Sequence, residues 1–139
     1  MEDGVNRDQE HLKLLSVFHY VVGGLTALFA LFPVLHLVFG LVMVLAPEKL
    51  EEGGEGPPAL IGWFFVIFAG LFIATGWSIA ALVITAGRFL AKRKHYLFCL
   101  VVAGLECILM PYGTVLGVFT IIVLMRDSVK EAFAAAGVP

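Results

Sequence analysis

Charged residues are scarce in this chain: Asp, Glu, Lys and Arg make up 14% of its 139 residues, against about 25% in soluble domains. Hydrophobic residues make up 60%, and the mean hydropathy is +0.99. So few charges exclude an ordinary water-soluble fold, and a net charge of −2 leaves no basic surface for nucleic acid. We therefore expect an integral membrane protein that has membrane lipid, and no nucleic acid, as a partner.

Cysteine and the common catalytic motifs are also rare or missing. The two thiols, Cys99 and Cys107, fall on one predicted helix, and their separation along it is too great for a disulfide. The sequence contains no zinc-type ligand spacing, no Walker loop, no HExxH and no nucleophile with a neighbouring base. We expect no metal, no cofactor and no enzymatic activity.

The apolar residues form three long blocks. Leu14–Pro47 and Gly56–Gly87 carry no charge, and His95–Met125 carries only Glu106. Each block exceeds the roughly 20 residues that cross a bilayer as a helix. The polar segments that separate and follow the blocks are an acidic loop (48–58), a basic link (88–94) and a tail (126–136). We predict one all-α domain over residues 1–139, a membrane helical bundle with its tail as an amphipathic helix on the membrane surface.

Two central prolines decide how often the chain crosses. Proline removes a helical hydrogen bond and forces a kink or a turn. Pro111 is followed by Tyr112 and Gly113, which favours a turn, so the third block is predicted to be a hairpin. No Gly, Asn or Asp flanks Pro33, which favours one kinked span. The expected count is four transmembrane helices, with three or five as the alternatives.

The distribution of charge predicts the orientation. Basic residues favour the cytoplasmic side, so the link 88–94 is expected inside, the acidic loop outside and both termini in the cytoplasm. The acidic start of the chain is unlike a cleavable signal peptide, so we expect the first segment to be retained. Aromatic residues favour the two interfaces. We assign Tyr20 and Tyr96, each preceded by a histidine, to the inner interface, and Trp63 and Tyr112 to the outer one.

Glu106 is the candidate functional residue, because a carboxylate inside a membrane is costly and typical of a proton or cation site. A structural alternative is that it accepts hydrogen bonds from backbone N–H groups near Gly113 and Thr114. His36 follows Pro33 closely and is predicted to lie in the same half of the membrane, so a His36–Glu106 pair is a further hypothesis. Haem ligation by His19 and His95 is the less favoured interpretation, since interfacial anchoring accounts for both histidines.

Small residues at helical spacing predict where helices pack. Membrane helices associate by close backbone approach at such residues. Gly113 and Gly117 form a GxxxG pattern, and Gly70 with Ala74 forms a second small pair. Packing within one bundle and a homo-oligomer interface are both consistent with these patterns.

Several short motifs are distributed over most of the chain, from His11 to Lys130. They are His19-Tyr20, Pro33, Gly62-Trp63, Ala86-Gly87-Arg88-Phe89, Glu106-Cys107 and the run from Met110 to Val118. With these motifs the chain resembles a group of small bacterial multi-pass inner-membrane proteins of unknown function. The resemblance implies a bacterial inner-membrane location and no particular reaction or ligand.

These observations favour a non-enzymatic polytopic inner-membrane protein. We expect it to self-associate or to act as an accessory subunit of a larger membrane complex. The alternative is a small proton-coupled transporter or ion-conducting oligomer built around Glu106.

Overall fold

The computed structural model describes residues 2–50 and 59–137, apart from the side chains of residues 2–5 and 49, and every regular element in this part is helical. Most of the predicted acidic loop, residues 51–58, lies outside the described residues. The prediction of an all-α helical bundle is confirmed. The elements are α1 (Glu2–Phe29), α2 (Val34–Leu45), a 3-10 turn (Pro47–Lys49), α3 (Ala59–Lys92), α4 (Tyr96–Glu106), α5 (Tyr112–Leu124) and α6 (Asp127–Ala136).

Pro33 marks the break between α1 and α2. Around it the backbone bonds three residues back, from Leu31 N to Leu28 O at 3.1 Å and from Val34 N to Leu31 O at 2.9 Å. Such bonds tighten a helical turn without reversing the chain. Residues Asn6–Leu45 accordingly form one apolar helical segment of 40 residues.

Pro111 marks a true reversal. The chain leaves α4 at Glu106, the Thr114 hydroxyl donates to the Cys107 carbonyl at 2.8 Å, and α5 packs back against α4. The Met110–Pro111 peptide bond is cis. The third apolar block is therefore a helical hairpin with short arms of 11 and 13 residues.

The chain divides into two compact units, and the first comprises residues 1–25 and 80–139. Its core contains Leu12 of α1, Leu90 of α3, Leu116 of α5, and Val129 and Phe133 of α6. The tail was predicted to be an amphipathic helix on the membrane surface. It is a helix, α6, and its apolar residues Val129 and Phe133 are buried against the protein.

The second unit comprises residues 26–79 and is held by close helix approach. A Cβ on Gly40 would lie 2.8 Å from the carbonyl oxygen of Gly62, so α2 and α3 touch through their backbones there. Gly70 and Ala74 take no part in such packing. Among the described residues outside its own helical turn, nothing lies within 4 Å of a Cβ built on Gly70, and Ala74 is exposed.

Two described segments are long and apolar enough to cross a membrane, Asn6–Leu45 and Ala59–Lys92. A third counts only if α5 and α6, which are bent by 79° at their junction, are taken together. The described helices are therefore fewer than the four predicted transmembrane helices by length and composition, because each hairpin arm is shorter than a bilayer-crossing helix.

Candidate functional site

A buried histidine and a buried glutamate meet inside the first unit. His19 Nε2 of α1 lies 3.3 Å from Glu106 Oε2 at the end of α4, and the two side chains are 0% and 1% exposed. A membrane-depth carboxylate was predicted to be a functional candidate, and the structure gives it a histidine partner in the protein interior.

The position of His19 follows from the packing face of α1. Leu12, Leu15, Ser16 and His19 recur at spacings of three and four and are all buried, which is the pattern of a helix face turned to protein. This face lies close to α3 because Gly87 has no side chain: a Cβ there would lie 2.9 Å from the Cβ of His19. The Ser16 hydroxyl donates to the Gly87 carbonyl at 2.7 Å and fixes the contact.

The position of Glu106 follows from the hairpin. A Cβ on Gly113 would lie 2.5 Å from the backbone oxygen of Glu106, and one on Gly117 would strike the carbonyl of Ala103. Both glycines therefore let α5 press against the last turns of α4, as the GxxxG pattern predicts. The buried face of α4 ends at Glu106 and turns its carboxyl group towards α1.

The hydrogen bond on the far side of the imidazole constrains where protons lie. His19 Nδ1 is 2.8 Å from the Leu15 carbonyl, which can only accept, so Nδ1 carries a hydrogen. Nε2 then faces Glu106 either as the acceptor of a neutral ring or as the donor of an imidazolium. The pair therefore places two ionisable side chains in contact inside the protein, with His19 Nε2 facing Glu106 Oε2.

The contact is not fully satisfied. His19 Nε2 and both carboxyl oxygens of Glu106 lack a well-aligned hydrogen bond within the described residues. A buried polar group without a partner costs about 1–3 kcal/mol. The pair is therefore a weak contributor to stability and a site whose proton placement is not locked by neighbouring donors.

Two predictions about Glu106 are wrong. The N–H groups of Gly113 and Thr114 do not reach its carboxylate, because both bond the carbonyl of Leu109, at 2.8 and 3.3 Å. The proposed partner His36 is also not the one found. Its ring packs instead beside Phe32 and Phe65 in the second unit, with centroid separations of 6.0 and 6.1 Å.

His19 was predicted to be an interfacial anchor because it precedes a tyrosine near the start of an apolar block. Its complete burial corrects this. The signal that identifies it is the stripe of Ser16, His19 and Gly23, since small and polar residues on one helix face mark protein contact in a membrane helix. His95, the other half of the haem alternative, lies against Phe89 with ring centroids 4.6 Å apart.

The predicted aromatic anchors behave in two ways. Tyr20, Trp63 and Tyr112 are exposed, and their assignment to the interfaces stays a prediction. Tyr96 is half-buried, and its hydroxyl donates to the carbonyl of Leu124 at 3.0 Å. This bond satisfies a carbonyl at the end of α5, where the helix has no further N–H to offer.

Within the described residues, no group of three or more His, Cys, Asp or Glu side chains is arranged to hold a metal ion. Comparisons of the chain with protein-family models, curated proteins and solved structures found no match.

The buried pair predicts strong coupling between its two members. His19→Phe and Glu106→Leu each leave the other group buried alone, and we expect each to lower the free energy of unfolding by about 2–4 kcal/mol. The double variant should lose at least about 1 kcal/mol less than the sum of the two. Thermal or denaturant unfolding in mild detergent measures the cycle. Strict additivity would show that the two side chains do not interact.

Proposed function

We propose that the chain is an integral protein of the bacterial inner membrane, with α1–α2 and α3 as its full spans. The supporting observation is the exposure of the two apolar segments. In the most apolar 18-residue stretch of each, only 22% and 17% of the residues are buried inside the protein. Large side chains such as Leu60, Phe64 and Leu71 are more than half exposed along α3. Exposing so much contiguous apolar surface to water is unfavourable, whereas the hydrocarbon layer of a membrane solvates it well.

The hairpin enters the membrane part of the way and returns to the side from which it came. Its arms are about 16 and 20 Å long at 1.5 Å per residue, whereas the hydrocarbon layer is about 30 Å thick. Lys94 precedes the hairpin and Arg126 follows it, which supports a common, cytoplasmic side for both ends. The N-terminal end of α1 belongs to the same side, because Arg126 pairs with Asp8 at 2.9 Å.

In this membrane the protein is a non-enzymatic subunit that associates with a second copy of itself through α3. The observation that favours this is the notch at Gly70 and Ala74, which lies on an exposed face between Trp63 and Trp77. Small residues at this spacing permit close approach of a second helix. The chain's other close-packing glycines, such as Gly62 and Gly76, are already covered by neighbouring residues of their own unit.

Proton-coupled transport is the second candidate function, and the His19–Glu106 pair favours it. The pair brings two ionisable side chains together in the protein interior, and it lies about 15 Å along α4 from the basic link. A proton site near the middle of the membrane is typical of proton relays in pumps and transporters.

Cysteine labelling tests the partial entry of the hairpin. We expect Glu48→Cys to react with a membrane-impermeant maleimide added outside cells, and Lys94→Cys and Met110→Cys not to react. Met110 is at the tip of the hairpin and is 84% exposed, so a hairpin that crosses the whole membrane would present it to the outside. Labelling of Met110→Cys from outside would therefore contradict partial entry and favour four spans. The unsubstituted chain, with its own Cys99 and Cys107, is the control.

Substitution in the notch tests self-association. Gly70→Ile fills the notch, and we expect it to weaken dimer formation about tenfold, which corresponds to about 1.4 kcal/mol. Gly104→Ile is the matched control, because it also lies on a helix with open space around its Cβ. Light scattering in mild detergent and energy transfer between labelled copies in liposomes measure the association. A wild-type chain that stays monomeric in both would contradict the proposal.

Proteoliposomes containing a pH-sensitive dye test the second candidate. Proton coupling predicts that Glu106→Gln abolishes proton flux while keeping the shape of the side chain. Glu131→Gln, which removes an exposed carboxylate from α6, should leave flux unchanged. Unchanged flux in the Glu106 variant together with a lower melting temperature would assign the pair a purely structural role.

A further inference from the structure

A cleft with a strongly basic lining opens at the end of the first unit. It has a volume of about 840 Å³ and lies between α6 and the turn that joins α3 to α4. Arg93, Lys94 and His95 line it from the turn, and Lys130 lines it from α6. None of its described lining residues is acidic. Such a cleft attracts anions.

The backbone conformation of the turn brings these basic side chains to the same cleft. Arg93 and His95 both have a φ of 52°, the left-handed conformation that residues other than glycine rarely adopt. The chain reverses tightly here, and three consecutive basic side chains line the cleft as a result. Two carboxylates of α6 lie outside this lining: Asp127 bonds Lys130 from a 92% exposed position, and Glu131 lines an adjoining cleft that shares Arg93 and Lys94. An exposed ion pair of this kind contributes little, so Lys130 is available to another anion.

The rest of the lining is apolar, which points to a ligand with an apolar part. Phe133 and Tyr96 pack edge to face within the lining, with ring centroids 5.6 Å apart. From Tyr96 the exposed face of α4 continues through Leu97, Val101 and Leu105, which are 70%, 56% and 48% exposed. A free phosphate would use the cations alone, whereas a lipid would use the cations and this apolar strip.

We propose that this cleft binds the phosphate headgroup of an anionic phospholipid, with an acyl chain along Leu97, Val101 and Leu105. The inference rests on the proposed membrane insertion, which puts the basic end of the unit at the cytoplasmic interface. Anionic lipids are attracted there by basic residues, each of which contributes measurably to binding. The bound lipid would join α6 to the turn between α3 and α4, since Lys130 and Arg93 belong to these two parts.

Native mass spectrometry of the full chain in mild non-ionic detergent tests the site. Phosphatidylglycerol and phosphatidylcholine with identical acyl chains are titrated onto the wild type and onto two paired variants. Arg93→Gln/Lys130→Gln removes two cations from the cleft. Arg88→Gln/Lys92→Gln removes two cations from the same end of α3, outside the residues that line this cleft. Circular dichroism and monodispersity confirm that each variant is folded, and Arg93→Lys/Lys130→Arg serves as the conservative pair.

We expect the wild type, the control pair and the conservative pair to prefer phosphatidylglycerol. The cleft pair should bind it about 10- to 30-fold more weakly. Equal losses in the cleft and control pairs would reveal only general surface charge and would overturn the proposal. Equal binding of the two lipids, or full displacement by inorganic phosphate, would also overturn it.

A separate measurement keeps the two proposals apart. Release of the wild-type chain from membranes by alkaline carbonate would refute membrane insertion before any lipid is added. A chain that resists carbonate but shows no preference for phosphatidylglycerol would refute only the lipid site.

Discussion

Close backbone contact at glycine is the constraint on which the described packing depends. In the proposed membrane arrangement, lipid offers apolar side chains as good an environment as another helix does, so helices gain from association mainly where their backbones touch. In the second unit this happens between Gly40 and Gly62. In the first unit Gly87 admits His19 to the surface of α3, and Gly117 admits α5 to the surface of α4. The functional candidate is assembled by these contacts, because each brings one of its two side chains into the interior.

Burying the His19–Glu106 pair costs more desolvation free energy than its contact returns to folding. A buried ion pair rarely gives more stability than well-packed hydrophobic residues of similar size, and this one leaves polar atoms without aligned partners. The pair does provide a specific register of α1 against α4, since the carboxyl group of Glu106 has one favourable neighbour on α1, which is His19. It also places two ionisable groups in contact, and their facing atoms have no hydrogen-bond partner within the described residues. Both the structural and the proton-binding interpretations follow from the same imperfect contact.

The sequence predicts the elements of this fold better than their contacts. Charge-free blocks locate the long helices, and the turn chemistry after Pro111 distinguishes a hairpin from the tightened turn at Pro33. Glu106 stands out by composition alone. Its partner does not, because the pairing of α1 with α4 depends on tertiary packing across 87 positions that no local pattern encodes. The direction of α6 is missed for a similar reason: an amphipathic helix fits lipid or protein equally well until its neighbours are known.

In the proposed membrane arrangement, the short hairpin determines how deep the buried carboxyl group lies. A hairpin that returns to its own side of a membrane has both ends in the same water layer, and its turn is the deepest point it reaches. Lys94 and Arg126 flank the hairpin, and Glu106 is the last residue of its first arm. Glu106, the one charged residue of the third block, therefore lies next to the turn of the hairpin, where His19 of α1 comes within 3.3 Å. A carboxyl group at the flanks would be solvated and would need no histidine, whereas at the turn only the protein can supply a partner.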